Sequence, residues 1–184
     1  MNQSRTVPVD CRKCRLADTR TNIVAGSGSH SSAIAFIGEA PGKHEDQNGE
    51  PFIGSAGRIL DKALGDLGLA RDEVFVTNIV KCRPPGNRRP RRDEIAACTN
   101  HLRAEIDEVE PEAVCVLGQT AAREILGHKG RISEIVGKES NAIVGGRRLK
   151  CVVAYHPAAC LYRRENYESF KNAVEKSLKA AGMI

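Results

Sequence analysis

The chain contains no tryptophan, and four phenylalanines with three tyrosines bring its aromatic share to only 4%. An extended platform on which successive unpaired bases stack is therefore not supported. Also missing is any apolar run near the roughly 20 residues needed to span a bilayer. Residues 1–14 carry basic side chains but no apolar h-region, so a secretory leader is not expected. The protein is accordingly placed in the cytoplasm, with no membrane partner. Outside an oxidising compartment the seven cysteines are not expected to form disulfides, which leaves metal ligation or simple burial. Internal repeats, low-complexity tracts and long linkers are absent as well, so the 184 residues are expected to form a single domain, 1–184, with one substantial core. The apolar share of 41% and charged share of 28% fit a soluble globular chain.

The net charge of +5 is modest but unevenly placed. Residues 81–92 hold Lys81, Arg83, Arg88, Arg89, Arg91 and Arg92 with no acidic residue. A basic run is more often a solvated face than a binding site, so by itself it points weakly to a polyanion. Its context is more telling. Just before it, Thr77-Asn78 closes a β-branched run, and Cys82 lies inside it. An amide at a strand end, a metal-competent thiol and a cationic loop within fourteen positions suit a small planar ligand, a metal cluster and phosphate, respectively.

Short apolar runs at 33–38, 74–80, 113–118 and 151–155 read as strands, the last entered by a hairpin over 142–153 that turns at Gly145-Gly146. Helical periodicity appears over 55–67, after Pro90, over 119–126 and over about 165–180. The helix after Pro90 carries Asp93 and Glu94 in its first turn, and its apolar positions Ile95, Cys98, Leu102, Ile106 and Val109 put Cys98 on the inward face. Residues 43–54 read as a polar loop. Alternating strands and helices predict an α/β fold with a central, mainly parallel four-stranded sheet and helices on both faces. Such sheets bind ligands beyond the carboxyl ends of their strands. Gly38-Glu39, Asn78 and His156 each fall just past a predicted strand end.

Cys11 and Cys14 form a C-x-x-C pair, while Cys82 and Cys98 have fifteen residues between them. Four thiolates suit tetrahedral zinc or an iron–sulfur cluster, and spacing does not choose between them. Tying both ends of the basic loop to one centre would hold its arginines in place. Cys115 and Cys151 lie within apolar strands and read as buried small hydrophobes. Cys160, four residues after His156, is a weak candidate for a Cys–His nucleophilic pair.

Taken together, Gly38-Glu39-Ala40-Pro41-Gly42, Glu45-Asp46, Gly49, Pro51-Phe52-Ile53-Gly54 and Ala56-Gly57 resemble the first motif of the family 4 uracil-DNA glycosylases. Residues 77–90 resemble that family's central segment, and Tyr155-His156-Pro157-Ala158 its second active-site motif. Cys11, Cys14, Cys82 and Cys98 match the order and approximate spacing of its four [4Fe–4S] ligands. The resemblance spans residues 11–164. It implies a three-layer α/β/α fold and a monofunctional hydrolase that removes uracil from single- or double-stranded DNA, leaving an abasic site for base excision repair. A monomer is expected. A related branch that links covalently to DNA carries Gln where this chain has Ala40, together with a basic insertion not found here, so a covalent mechanism is disfavoured.

The resemblance also assigns roles. Gly38, Glu39, Glu45, Phe52, Asn78 and His156 would bind the extruded base. Asn78 suits uracil because its carboxamide oxygen accepts from N3–H while its NH₂ donates to O4, and cytosine presents the opposite pattern. Phe52 would stack on the ring and Glu45 would crowd the C5 position against thymine. His156, kept extended by Pro157, would donate to O2 of the departing uracil anion. Glu39 and Asn87 are the candidates for activating and positioning water. Lys81, Arg83, Arg88, Arg89, Arg91, Arg92, Arg163 and Arg164 would face phosphate. Leu161, with Tyr162 as an equal candidate, would fill the gap left by the flipped base. The rival from another class is a non-catalytic, metal-containing binder of uracil or abasic DNA, and a cysteine-dependent redox protein is a third reading.

Overall fold

The computed structural model describes residues 3–163 and 165–184. Arg164, expected at phosphate, lies outside them. Among the described residues six strands form one sheet: β1 (Ser27–Gly28), β2 (Ile34–Gly38), β3 (Phe75–Asn78), β4 (Ala113–Leu117), β5 (Glu139–Val144) and β6 (Arg147–Ala154). Their order across the sheet is β1-β3-β2-β4-β6-β5. The four inner strands are mutually parallel, as expected, but the sheet has six strands rather than four, because each edge is closed by an antiparallel strand. The hairpin joining β5 to β6 turns at Gly145 and Gly146, with φ of 60° and 90°, a conformation that costs glycine little.

Strict alternation along the inner strands explains the layers. Ile34, Phe36, Val74, Val76, Cys115, Leu117, Val152 and Ala154 belong to one core, shared with Leu60, Leu64, Phe170, Val174 and Leu178. Those partners come from α2 (Ser55–Asp66) and α6 (Asn166–Ala180). Ala35, Ile37, Phe75, Val114, Val116, Cys151 and Val153 belong to the second core, with Leu102, Ile106, Val109, Ala121 and Ala122. These come from α3 (Arg92–Val109) and α4 (Gln119–Leu126). The result is the expected three-layer α/β/α arrangement. Cys115 and Cys151 are fully buried among apolar neighbours, and burial pushes the Cys115 thiol up to about 12.

Two short helices escape apolar periodicity. One, α1 (Lys43–Asn48), occupies the stretch read as a polar loop, and α5 (Ala159–Tyr162) follows the His-Pro motif. The chain leaves β2 to form β3 on one side and returns to form β4 on the other, so the carboxyl end of β2 lies at a topological switch point. Ligand crevices open at such points.

Candidate active site

A pocket of about 500 Å³ opens at the carboxyl ends of the parallel strands, and Glu39, Glu45, Phe52, Asn78, Asn87 and His156 all line it. Gly38, the last residue of β2, lies directly opposite Asn78, the last of β3, in the parallel register. A Cβ at Gly38 would stand 2.6 Å from both Asn78 Oδ1 and Phe52 Cζ. Glycine is therefore what allows the amide and the ring to converge. Asn78 is 2% exposed, and its Oδ1 is buried without a hydrogen-bond partner. An unpaired buried carbonyl of this kind carries a penalty of about 1–3 kcal/mol, which a ligand donor removes.

Phe52 is displayed by backbone that few residues tolerate. Its φ is 56°, and a Cβ at Gly57 would fall 1.6 Å from the Phe52 carbonyl oxygen. The first turn of α2 thus packs against this peptide because residue 57 has no side chain. Arg71 donates to the Pro51 carbonyl at 3.0 Å and sits over the Phe52 ring, 6.0 Å from its centroid. Glu45 accepts from the Gly54 amide at 2.8 Å, which closes the segment between β2 and α2 into a rim. The neighbouring Asp46 is buried and accepts from the Thr21 amide at 2.9 Å, fastening that rim to the preceding chain.

His156 follows β6, and Gly118, with φ of 91°, gives it room: a Cβ there would lie 2.9 Å from His156 Cβ. The ring is stacked with Phe52, centroids 6.1 Å apart at 29°. Its Nδ1 accepts from the Ala158 amide at 3.3 Å, which leaves the proton on Nε2. Burial holds its pKa down at about 4, against an upward pull from the Glu45 carboxylate. The imidazole is therefore neutral at physiological pH, with Nε2–H as its donor.

The four expected metal ligands are also brought together. Cys11, Cys14, Cys82 and Cys98 line a second, smaller cavity with Arg20, Lys81 and His101. Two donors point at its sulfurs: Arg20 to Cys82 at 3.5 Å and the Lys81 amide to Cys98 at 3.3 Å. The Cys11 sulfur stands 3.2 Å from His101 Nε2. Burial pushes the Cys82 thiol up to about 11 and raises Cys98 as well. Among the described residues no three His, Cys, Asp or Glu side chains are arranged to hold a single ion. Four thiols lining one cavity are a donor set that suits a thiolate-held metal centre.

The model of the Uracil DNA glycosylase superfamily matches residues 25–179. The chain belongs to this superfamily. It is 42% identical over 168 residues to the type-4 uracil-DNA glycosylase of Archaeoglobus fulgidus, covering 88% of this chain and 84% of that one. To the type-4 uracil-DNA glycosylase of Thermotoga maritima it is 40% identical over 157 residues, covering 85% and 80%. A type-5 uracil-DNA glycosylase of Pyrobaculum aerophilum is 32% identical over 146 residues, covering 71% and 63%.

The basic loop of this superfamily member is only partly available to a polyanion. Arg89, Arg91 and Arg92 are exposed, and Arg163 is exposed beyond α5. Arg83 donates to Asn87 Oδ1 at 2.6 Å, so it braces a residue of the pocket while remaining half-buried. Arg88 grips the buried Glu94 with both terminal nitrogens, at 2.9 and 2.6 Å, and also lines the pocket. Lys81 requires a correction. It is 1% exposed and donates inward to Thr77 Oγ1, the Asn78 carbonyl and Glu105, each at 2.6 Å. Phosphate cannot reach it. Leu161 and Tyr162 are 46% and 87% exposed. No described helix is long and apolar enough to cross a membrane.

Sequence reasoning missed Gln119 and Thr120, which line the pocket from the start of α4. The signal was present, since β4 is parallel to β2 and its end must open on the same edge. It also missed Arg71, whose position over the Phe52 ring depends on a tertiary approach that no local pattern encodes.

Proposed function

We infer that the protein is a uracil-DNA glycosylase that extrudes deoxyuridine, hydrolyses its N-glycosidic bond and leaves an abasic site, as a step of base excision repair. The observation that carries this is the unpartnered, buried Asn78 Oδ1 on the same pocket as the neutral His156 ring. Uracil offers N3–H to that oxygen and O4 to the carboxamide NH₂. Cytosine would leave the oxygen unpaired and set donor against donor, and a mismatched buried site discriminates by as much as about 10⁴–10⁵. Phe52 supplies a face for the ring, and the Glu45 carboxylate, held by the Gly54 amide, narrows the room for a 5-methyl group.

Cleavage leaves charge on uracil O2. A neutral imidazole donating through Nε2–H stabilises that charge without reorganisation, a contribution of about 3–4 kcal/mol for one well-placed donor. Glu39 and Asn87 orient the attacking water from the pocket rim. Opening the duplex to extrude the nucleotide costs a few kcal/mol, offset by stacking on Phe52 and by Leu161 or Tyr162 filling the vacated space. Phosphate contacts come from Arg89, Arg91, Arg92 and Arg163, with Arg83 and Arg88 bracing the pocket side of the loop. The partner is uracil-containing DNA, double- or single-stranded, and we read residues 1–184 as one cytoplasmic, monomeric domain.

Cys11, Cys14, Cys82 and Cys98 would hold a [4Fe–4S] cluster. When bound, the cluster supplies a rigid cross-link between the N-terminal segment, the basic loop and α3, while the reaction itself stays in the pocket. The test is release of base. Purified protein should be brown and should free uracil from uracil-containing duplex without Mg²⁺, cutting the strand only after heat or alkali. Tight binding with no free base over long incubation would instead identify a non-catalytic binder. Release that requires Mg²⁺ would contradict the mechanism.

A further inference from the structure

Lys81 and Glu105 form an ion pair with side chains 1% and 0% exposed, Nζ and Oε2 being 2.6 Å apart. Every polar atom of the pair is used. The three ammonium donors go to Thr77 Oγ1, the Asn78 carbonyl and Glu105 Oε2. The Thr77 hydroxyl donates to the same Oε2 at 2.6 Å, and Oε1 accepts from the Gly26 amide at 2.7 Å. A buried pair of this kind seldom stabilises a fold more than apolar side chains of similar volume would. Stability alone does not account for it here.

What the pair adds is direction. Asn78 ends β3, and its carbonyl is held by Lys81 Nζ while the next amide, Ile79, donates to the Gly38 carbonyl at 2.9 Å. The peptide after Asn78 is thereby clamped on both sides, which sets the backbone from which the carboxamide projects. Lys81 is also where this strand end meets the thiol cavity: its own amide bonds Cys98, its carbonyl accepts from the Val24 amide at 2.8 Å, and Cys82 follows.

We propose that the Lys81–Glu105 pair, with Thr77, is a positioning device for uracil reading, holding the Asn78 carboxamide in register with the pocket. The inference rests on the glycosylase reading for its kinetic consequence but not for its structural one.

The experiment compares wild type with Lys81→Met, Lys81→Met/Glu105→Leu, Thr77→Val and Thr77→Ser, by thermal unfolding, metal content, single-turnover uracil release, DNA affinity and NMR of the Asn78 side-chain amide. Lys81→Met should unfold at a lower temperature because it strands a buried carboxylate. The double variant should regain the wild-type midpoint within a few degrees and keep its metal, yet release uracil at least tenfold more slowly with DNA affinity unchanged. Thr77→Val should slow release at least threefold, and Thr77→Ser should restore it. In the slowed variants the Asn78 amide pair should broaden or double. Recovery of both midpoint and rate in the double variant would overturn the proposal and leave the pair merely structural. If the double variant does not fold, Thr77→Val decides: an unchanged rate with an unchanged Asn78 signal overturns it. A wild type that frees no uracil would sink the glycosylase reading instead, and the Asn78 signals would then decide this inference alone.

Discussion

The neutrality of His156 has a measurable consequence in acid. An ordinary histidine titrates near 6.5, whereas burial holds this one at about 4. The difference of roughly 2.5 units corresponds to about 3 kcal/mol between the two protonation states. At pH 5.5 an unperturbed imidazole would be about nine-tenths protonated, while His156 would be only a few per cent so. Since Nδ1 is occupied by the Ala158 amide, the donor that the neutral ring has left to offer a ligand is Nε2–H. Single-turnover uracil release should therefore show no loss between pH 8 and 5 attributable to His156, and ¹⁵N NMR should find its ring unprotonated with the proton on Nε2. The stability effect has a definite sign. Between pH 6.5 and about 4 the unfolded chain binds a proton that the native state does not, so stability falls as pH is lowered through that window. The full contribution is lost only below about 4. An inflection in the release rate near 6.5, abolished by His156→Gln, would refute the neutral-donor account.

Gly38→Ala should reduce uracil release by more than a hundredfold while the metal absorbance persists, because the added methyl falls 2.6 Å from Asn78 Oδ1 and Phe52 Cζ; a rate assay beside a visible spectrum checks this. Glu94 accepts both Arg88 nitrogens and the Arg91 amide, and its pKa is lowered chiefly by the Arg88 hydrogen bonds. Glu94→Ala should cost about 1–3 kcal/mol in denaturant unfolding at pH 7. That difference should shrink as pH falls below the ordinary carboxylate value through the lowered native one. Cys82→Ser should lower metal content and thermal midpoint together and weaken DNA binding through the loosened arginine loop, measured by iron analysis, calorimetry and fluorescence anisotropy.

Much of this architecture was legible in the chain. The runs at 33–38, 74–80 and 113–118 could be placed because strands covered on both faces are apolar throughout, and Gly38, Asn78 and His156 followed as strand-end residues. The α1 helix was not legible, since Lys43–Asn48 is polar all round and too short to show a stripe. The two-residue β1 lies below any periodic signal. Lys81 was misplaced because it opens a run of cations, and charge runs are ordinarily solvated. A signal against that reading did exist. Glu105 shares the inward face of α3 with Cys98, Leu102 and Ile106, and a carboxylate in such a stripe demands a buried cation. Phe52 could be named as a pocket residue only through the family resemblance, and its positive φ and its packing on Gly57 required the fold.

The central claim is that strand ends meet around a pyrimidine ring whose edge Asn78 reads. The most direct measurement is single-turnover base release from two oligonucleotides identical except for uracil or cytosine at one position, by wild type and Asn78→Ala. The account predicts that wild type frees uracil and not cytosine, and that Asn78→Ala loses about 10²–10³ of the uracil rate while its metal content and DNA affinity hold. Equal rates for wild type and variant, or release of both bases by wild type, would contradict it.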